Sequence, residues 1–144
     1  MTHRIETIAL DTPSPGTTRQ LMVHRFGRGE GPKAYIQAAI HAGETPALLV
    51  AHHLLALLEN ADVPGEVVLV PFANPVGLGQ RVHGRHLGRY DLDSGVNFNR
   101  DLPDLSEAVD AAVGEGLGSD APINVAIVRA AIAEALAGLR MARE

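Results

Sequence analysis

A histidine and a glutamate separated by two residues form the part of this sequence best suited to chemistry. His41 and Glu44 stand in the segment Ile40-His41-Ala42-Gly43-Glu44-Thr45-Pro46. An imidazole and a carboxylate are two of the ligand types that a catalytic zinc ion takes, in sites that usually have three protein ligands. The pair therefore predicts a metal site, provided that the fold brings both side chains to one point.

The elements around this pair place it between the end of a strand and the start of a helix. Apolar runs over residues 35–40 and 67–71 predict two short buried strands. A nearly continuous apolar stretch between them predicts a helix from Pro46 to Glu59, with the proline in its first turn. A strand, a helix and a strand in succession indicate a parallel, right-handed crossover. The histidine–glutamate pair is thus expected at the carboxyl ends of the strands, where open α/β sheets bind ligands.

The rest of the chain predicts a hairpin, a polar cleft and two helices. The hairpin is antiparallel and lies at the edge of the sheet, and the cleft is irregular and rich in glycine and polar side chains. The final helix carries an apolar stripe at three- and four-residue spacing. In order, these elements are hairpin strands over 5–10 and 21–26, the cleft over 71–103, a helix over 105–113 and a final helix capped by Ser119 or Asp120.

Composition excludes several classes of function. The chain has 144 residues, of which 46% are hydrophobic and 20% charged, as in a single globular domain. Its formal net charge of −5 and the lack of a basic cluster argue against a nucleic-acid partner. There is no cysteine, so thiol catalysis and disulfides are excluded. The longest apolar run, Ala47 to Leu58, is too short to span a bilayer. We expect a soluble, cytoplasmic protein without a nucleic-acid or membrane partner.

Three separated motifs resemble one enzyme family. In order they are His41-Ala42-Gly43-Glu44, then Asn74-Pro75 with Arg81, then Asn97-Phe98-Asn99-Arg100. Together they resemble the zinc carboxypeptidase superfamily, and within it the succinylglutamate desuccinylase/aspartoacylase branch, over roughly residues 20–102. The resemblance implies an α/β fold of three layers (αβα), with a mixed, mostly parallel central sheet and the antiparallel hairpin at its N-terminal edge.

The resemblance also implies a role for each motif residue. His41 and Glu44 would bind zinc, Arg81 would polarise the scissile carbonyl, and Asn99 with Arg100 would bind the substrate's carboxylate. A guanidinium suits both tasks because it donates two parallel hydrogen bonds to an oxyanion or carboxylate. The implied activity is hydrolysis, by zinc-activated water, of an amide bond in an N-acyl amino acid or a similar small carboxylate. A metallocarboxypeptidase acting on peptides shares the same motifs and stays open.

The sequence departs from the family pattern in ways that affect the site. Ala42 stands where the branch commonly has glycine, and Asn97 stands where it commonly has aspartate. No histidine follows Arg100, although the family's third zinc ligand is a later histidine and its general base a later glutamate. We therefore expect residues 1–144 to be the N-terminal part of one catalytic domain, apparently truncated. Either His83 or His86 could instead supply the third ligand.

The departures leave a second class of function open. A catalytically incomplete domain, or an interaction module, would keep the same half of the sheet and hold metal weakly, since affinity depends on ligand number and geometry. The apolar helix over residues 46–59 would then pack against a second copy of the chain or a missing C-terminal segment.

Overall fold

The computed structural model describes residues 2–12 and 15–139, and it is built on a four-stranded sheet. Its strands are β1 (His3–Leu10), β2 (Arg19–Gly27), β3 (Lys33–Gln37) and β4 (Glu66–Val70), in the spatial order β1-β2-β4-β3. The described residues form two compact units, the first ending at Asp101 and the second beginning at Leu102. The sheet and the predicted metal pair both belong to the first unit.

The strand pairing confirms a mixed α/β fold and corrects one detail. β1 and β2 form the predicted antiparallel hairpin at the sheet edge, and β3 pairs parallel with β4. β2 pairs antiparallel with β4, so in the described four-stranded sheet two pairings are antiparallel and one is parallel. The prediction of a mostly parallel sheet is therefore wrong for this part of the chain. The hairpin lies directly against β4, because Val23, Val68 and Val70 bury their side chains in one cluster.

Helix α1 (Thr45–Leu58) makes the predicted crossover from β3 to β4. It starts close to the predicted position, with a proline in its first turn. Ala51 is buried, whereas Leu49, Val50 and Leu57 on the same helix each expose more than half of their side chains. The helix is apolar on most sides, and the first unit covers only part of that surface.

The segment after β4 is more ordered than predicted. It contains α2 (Pro75–Gly79) and a short antiparallel ladder of β5 (Arg81–Val82) and β6 (Arg85–His86). His83 and Gly84 join the two strands and both have positive φ, at 47° and 77°. That is the backbone of a two-residue hairpin turn, which glycine in the second position favours. Residues 71–103 therefore hold a helix and a hairpin where irregular structure was expected.

The second unit is a pair of helices, α3 (Ser106–Val113) and α4 (Ala121–Gly138). The predicted cap of the last helix is confirmed, because Asp120 Oδ1 accepts a hydrogen bond from the Ile123 amide at 3.2 Å. Among the described residues, α4 is the one helix long and apolar enough to cross a membrane, with a mean hydropathy of 1.4. Only 6% of this helix is buried within the described part of the chain, and the absence of a membrane partner stays a prediction.

A buried carboxylate ties three strands together at the amino end of β4. Glu66 accepts a hydrogen bond from Arg25 of β2 at 3.2 Å and forms an ion pair with Lys33 of β3. The hydrogen bond from Lys33, followed by the charges of Lys33 and Arg25, lowers the pKa of Glu66 below its ordinary value against the opposing effect of burial. The carboxylate is thus paired where an unpaired charge would be costly. It fixes the end of the sheet opposite to the predicted metal pair.

Candidate metal and substrate site

A residue with strained backbone, Ala39, lies in the turn between β3 and the predicted metal ligand His41. Backbone pairing continues past the strand, where the Ala38 amide donates to the Val70 carbonyl at 3.0 Å. Ala39 then adopts φ of 60° although it is buried and is not glycine. Left-handed backbone costs an alanine roughly 1–2 kcal/mol, and such strain concentrates at functional sites. The turn brings His41 to the rim of the sheet, as predicted.

Asn74, in the connection between β4 and α2, forms a hydrogen bond to this turn. Its amide Nδ2 donates to the Ile40 carbonyl at 2.8 Å, and its Oδ1 accepts the Gly77 amide at 2.7 Å. The side chain is only 6% exposed, and its bond to Gly77 is buried while its bond to the Ile40 carbonyl is partly buried. One asparagine therefore caps α2 and fixes the residue that precedes His41. This gives the Asn74-Pro75 motif a structural role.

Replacing Asn74 by alanine is expected to lower the free energy of unfolding by roughly 2–4 kcal/mol, because the partly buried Ile40 carbonyl and the buried Gly77 amide both lose their partner. Urea denaturation followed by circular dichroism measures the change. Asn60→Ala is the matched control, since Asn60 makes one exposed bond to the Ala56 carbonyl. We expect that variant to lose about 0.5 kcal/mol or less. Equal losses in the two variants would show that Asn74 does not hold the turn.

Gly88, which is distant in sequence, brings its loop into close backbone contact with the same turn. Its carbonyl accepts the Ala42 amide at 2.9 Å. A side-chain carbon at this glycine would lie 2.7 Å from the Gly43 nitrogen and 3.0 Å from the Ala42 carbonyl carbon. Only glycine allows backbones to approach this closely. The contact fixes the path of the following residue, Arg89, beside the metal pair.

His41 and Glu44 come together as predicted. His41 Nδ1 lies 3.1 Å from Glu44 Oε1, and His41 Nε2 lies 2.7 Å from Asn97 Oδ1. The histidine is 6% exposed, whereas the glutamate faces solvent over about half of its side chain. Both ring nitrogens therefore face an oxygen atom, and the two donors of the predicted metal site lie side by side.

This donor pair fits two ligands of a zinc ion. Metal–ligand distances of about 2.0–2.2 Å in a tetrahedral site separate neighbouring ligand atoms by about 3.4 Å, close to the 3.1 Å between His41 Nδ1 and Glu44 Oε1. A metal ion bound by both side chains would take the place of the hydrogen bond that joins His41 Nδ1 and Glu44 Oε1.

The described part of the chain does not hold a complete set of three metal ligands in this arrangement. Within residues 2–12 and 15–139, no group of three histidine, cysteine, aspartate or glutamate side chains is arranged to hold a metal ion. His83 lies exposed at the tip of the β5–β6 hairpin. His86 Nε2 donates to the Gly77 carbonyl at 2.9 Å, which places this ring near the turn without joining the pair. Neither histidine completes the site in this arrangement.

Arg89 is the arginine that contacts the metal pair. Its guanidinium donates to Glu44 Oε1, the same oxygen that faces His41 Nδ1. Arg81, for which the motif implied the carbonyl-polarising role, lies exposed on β5, where its backbone pairs with His86. The structure thus brings a different arginine from the same loop to the site. In the sequence, Gly88 was the feature that could have indicated Arg89. A glycine there lets the loop approach Ala42 and Gly43 closely, and this contact places Arg89 beside Glu44.

Of the two residues predicted to bind the substrate's carboxylate, one lines a cavity and the other is exposed. Asn99 lines a cavity of about 240 Å³ together with His41, Glu44 and residues 37–40. Arg100 is exposed, and its guanidinium donates to the Asn99 carbonyl at 2.6 Å. Asn97, which stands where the family pattern commonly has aspartate, contacts His41. The cavity is therefore bounded by the two predicted metal ligands and by one of the two predicted substrate-binding residues.

A larger cavity lies elsewhere in the first unit. It measures about 410 Å³ and is lined by residues that include His3, Phe26 and Glu59. Gly27 and Val63 also line this cavity and lie at or near the amino end of β4. His41 lies at the other end of the sheet, where the parallel strands β3 and β4 have their carboxyl ends. Size alone therefore does not identify the site. The smaller cavity is the candidate functional site, because it is lined by the strained turn and by both predicted metal ligands, His41 and Glu44.

Three crystal structures share the fold of this chain. A succinylglutamate desuccinylase/aspartoacylase family protein from Shewanella amazonensis gives a TM-score of 0.78 at 33% identity, over 93% of this chain and 37% of that one. A second, from Shewanella frigidimarina, gives 0.74 at 27% identity, over 92% and 36%. A third, from Rhodobacter sphaeroides, gives 0.55 at 16% identity, over 72% and 31%, and shows the fold alone. The chain spans about a third of the length of these relatives.

The sequence profile of the succinylglutamate desuccinylase/aspartoacylase catalytic domain matches residues 30–115. No curated protein matches the chain. The matched region covers more than half of the sequence and includes the metal pair, Arg89, Asn97 and Asn99. It confirms the resemblance that the three motifs carried. The chain belongs to the succinylglutamate desuccinylase/aspartoacylase family.

Proposed function

We propose that this protein acts as a zinc-dependent hydrolase of an amide bond in an N-acyl amino acid or a similar small carboxylate. The observation that carries the proposal is the 3.1 Å separation of His41 Nδ1 and Glu44 Oε1 at the rim of the sheet. Membership of a family of deacylases supports the reaction class. The departure at the third ligand means that the complete site needs a donor besides these two.

The residues of the site have distinct tasks in this proposal. His41 and Glu44 would hold the ion. Bound zinc supplies a Lewis acid and makes water a nucleophile at neutral pH. Asn99 lines the cavity and offers its amide to a polar group of the substrate, and Arg100 stands next to it as the candidate partner of the substrate's carboxylate. A guanidinium is suited to that partner because it binds carboxylates through two parallel bonds.

We assign the carbonyl-polarising role to Arg89 rather than Arg81. The Arg89 guanidinium already lies beside Glu44, whereas Arg81 is exposed on the hairpin. A cation near the metal donors can stabilise the oxyanion that forms when the amide carbonyl is attacked. Because it now pairs with Glu44, Arg89 also balances the charge of that carboxylate.

A second candidate function is an interaction module that lacks a complete catalytic site. The exposed apolar residues of α1, Leu49, Val50 and Leu57, favour it, since such a surface usually contacts another polypeptide. A second copy of the chain or a further segment of the same protein would fit. This candidate predicts no hydrolysis with any small substrate.

Hydrolysis assays on protein expressed from its complete coding sequence test the proposal. N-succinyl-glutamate and N-acetyl-aspartate represent N-acyl amino acids, and a short unblocked peptide represents carboxypeptidase substrates. We expect release of the free amino acid from at least one N-acyl substrate, loss of that activity with a chelator and recovery with zinc. Cleavage of the peptide alone would indicate a peptidase. No hydrolysis of any substrate by zinc-loaded protein would favour the interaction module.

A further inference from the structure

We propose that His3 and His24 form an acid-sensitive latch between β1 and β2. The latch holds the amino end of β1 in place while at least one of the two imidazoles is neutral, and it releases this end when both are protonated. It lies at the opposite end of the sheet from His41. His3 also lines the cavity of about 410 Å³, so release of β1 would open this cavity.

The two imidazoles are joined by a hydrogen bond and by ring stacking. His3 Nε2 lies 3.1 Å from His24 Nδ1, and the ring centroids are 5.3 Å apart. At this distance one nitrogen donates its N–H and the other accepts with its lone pair, and either ring can be the donor. If both rings are protonated, every ring nitrogen carries a hydrogen, so two donors and two positive charges face each other. The bond therefore survives the first protonation and is broken by the second.

His24 is the ring whose protonation opens the latch. It is 9% exposed, whereas His3, at the start of β1, is exposed to solvent. Burial, followed by the charge of His3, lowers the pKa of His24 below its ordinary value. The His3 ring is held beside it by a stack on Phe26, with centroids 4.2 Å apart and planes inclined by 13°. His24 therefore stays neutral over a pH range in which a solvated histidine is already charged.

Charged groups from three other segments lie around the latch. Glu59 follows α1, Asp62 lies in the connection to β4, and Arg28 follows β2, and all three line the same cavity as His3. The charge of Glu59 raises the pKa of His24, but this effect is smaller than the lowering by burial and by His3. Asp62 and Arg28 carry opposite charges, so their effects on the cavity oppose each other. The surroundings therefore favour a neutral His24, which keeps the latch closed at neutral pH.

Backbone hydrogen bonds at the same end of the hairpin depend on the latch. The Gly27 amide donates to the Thr2 carbonyl at 3.1 Å, and the Thr2 hydroxyl donates to the Gly27 carbonyl. In the unfolded chain His24 takes up its proton at the ordinary value, near pH 6.5. Above this pH the latch contributes fully. As the pH falls below it, the unfolded state binds the proton before the folded state does, and the contribution is lost.

Hydrogen–deuterium exchange, followed by mass spectrometry on protein expressed from its complete coding sequence, tests the latch. It is measured at about pH 7.5 and about pH 5, on either side of the ordinary pKa of histidine, and corrected for the intrinsic pH dependence of exchange. Peptides that cover the Gly27 end of the hairpin should exchange about tenfold faster at the lower pH, the change that uptake of one proton gives over one pH unit. Peptides that cover Ala9 and Gln20, which pair at the other end, should keep their protection.

His3→Gln should remove this pH dependence. A glutamine amide can donate to neutral His24 through its NH₂ group, or accept from protonated His24 through its oxygen. The variant should therefore exchange equally at the two pH values. His53→Gln is the matched control, because it removes an exposed histidine of α1 and should keep the wild-type difference.

Equal exchange of the Gly27 end of the wild type at the two pH values would overturn the latch, as would a pH dependence that persists in His3→Gln. Faster exchange at both ends of the hairpin would indicate general unfolding in acid and would also contradict it. If His3→Gln is too unstable to measure, the comparison of the two ends in the wild type still decides. Neither zinc nor substrate enters the measurement, so the outcome is independent of the proposed hydrolysis.

Discussion

Replacing His41 by alanine is expected to abolish zinc retention and hydrolysis together. The buried imidazole is one of two donors that the described residues place side by side, and its loss leaves a single half-exposed carboxylate. Removal of one ligand lowers the affinity for zinc strongly, because affinity depends on the number and geometry of the ligands. Mass spectrometry of metal content after dialysis, on protein from the complete coding sequence, measures the result.

His83→Asn provides the control for this prediction. His83 lies at the hairpin tip with φ of 47°, a conformation that asparagine also tolerates, so the backbone should be kept. We expect the control to retain the wild-type zinc content. Loss of zinc in His83→Asn as well would identify this residue as the third ligand. Stoichiometric zinc in His41→Ala would mean that the predicted pair is not the metal site.

The crossover at the centre of the fold could be predicted because its signals are local. Buried parallel strands are continuous apolar runs, and the run ending near residue 71 corresponds to the buried strand β4. The run ending near residue 40 corresponds to β3, but this strand ends at Gln37 and four of its five residues are exposed, so the prediction that it is buried is wrong. The pairing of β2 with β4 could not be predicted in the same way. Which strand lies beside β4 depends on contacts such as Val23 with Val68 and Val70, which are distant in sequence. This is why the sheet was expected to be more parallel than it is.

The hairpin of β5 and β6 was missed for a different reason. Each strand has two residues, and three of these four, Arg81, Arg85 and His86, are polar, so no apolar alternation marks them. The turn residues His83 and Gly84 were the remaining signal. A glycine in a polar segment is equally common in irregular loops, so it did not distinguish the two.

The site was predictable where its members are close in sequence. His41 and Glu44 meet because one tight turn holds both, with the Glu44 amide donating to the His41 carbonyl at 2.9 Å. Arg89 and Asn97 reach the same point through long loops. Their paths depend on single hydrogen bonds, such as that between Gly88 and Ala42, and periodicity does not encode such bonds. Motif spacing therefore indicated Arg81 as the arginine of the site, whereas the hydrogen bond between Gly88 and Ala42 places Arg89 beside Glu44.

The second large effect concerns these two arginines. Arg89→Gln is expected to lower kcat/KM by about 10²–10³-fold, as removal of an oxyanion-stabilising donor typically does. Zinc content should stay close to that of the wild type, because both metal donors remain. Arg89→Lys should recover only part of the loss, since an ammonium keeps the charge but not the planar pair of donors. Kinetics on the N-acyl substrate, with metal content measured on the same samples, check these outcomes.

Arg81→Gln is the matched control for this loss. Arg81 belongs to the same loop, carries the same charge and is exposed on β5, so its substitution removes an equal charge without touching Glu44. A surface substitution of this kind should change kcat/KM by about threefold or less, because surface residues away from a site have small effects. If Arg81→Gln caused the large loss and Arg89→Gln did not, the spacing of the motif would identify the catalytic arginine. The ion pair of Arg89 with Glu44 would then be structural, and the β5–β6 hairpin would have to move towards the cavity during the reaction.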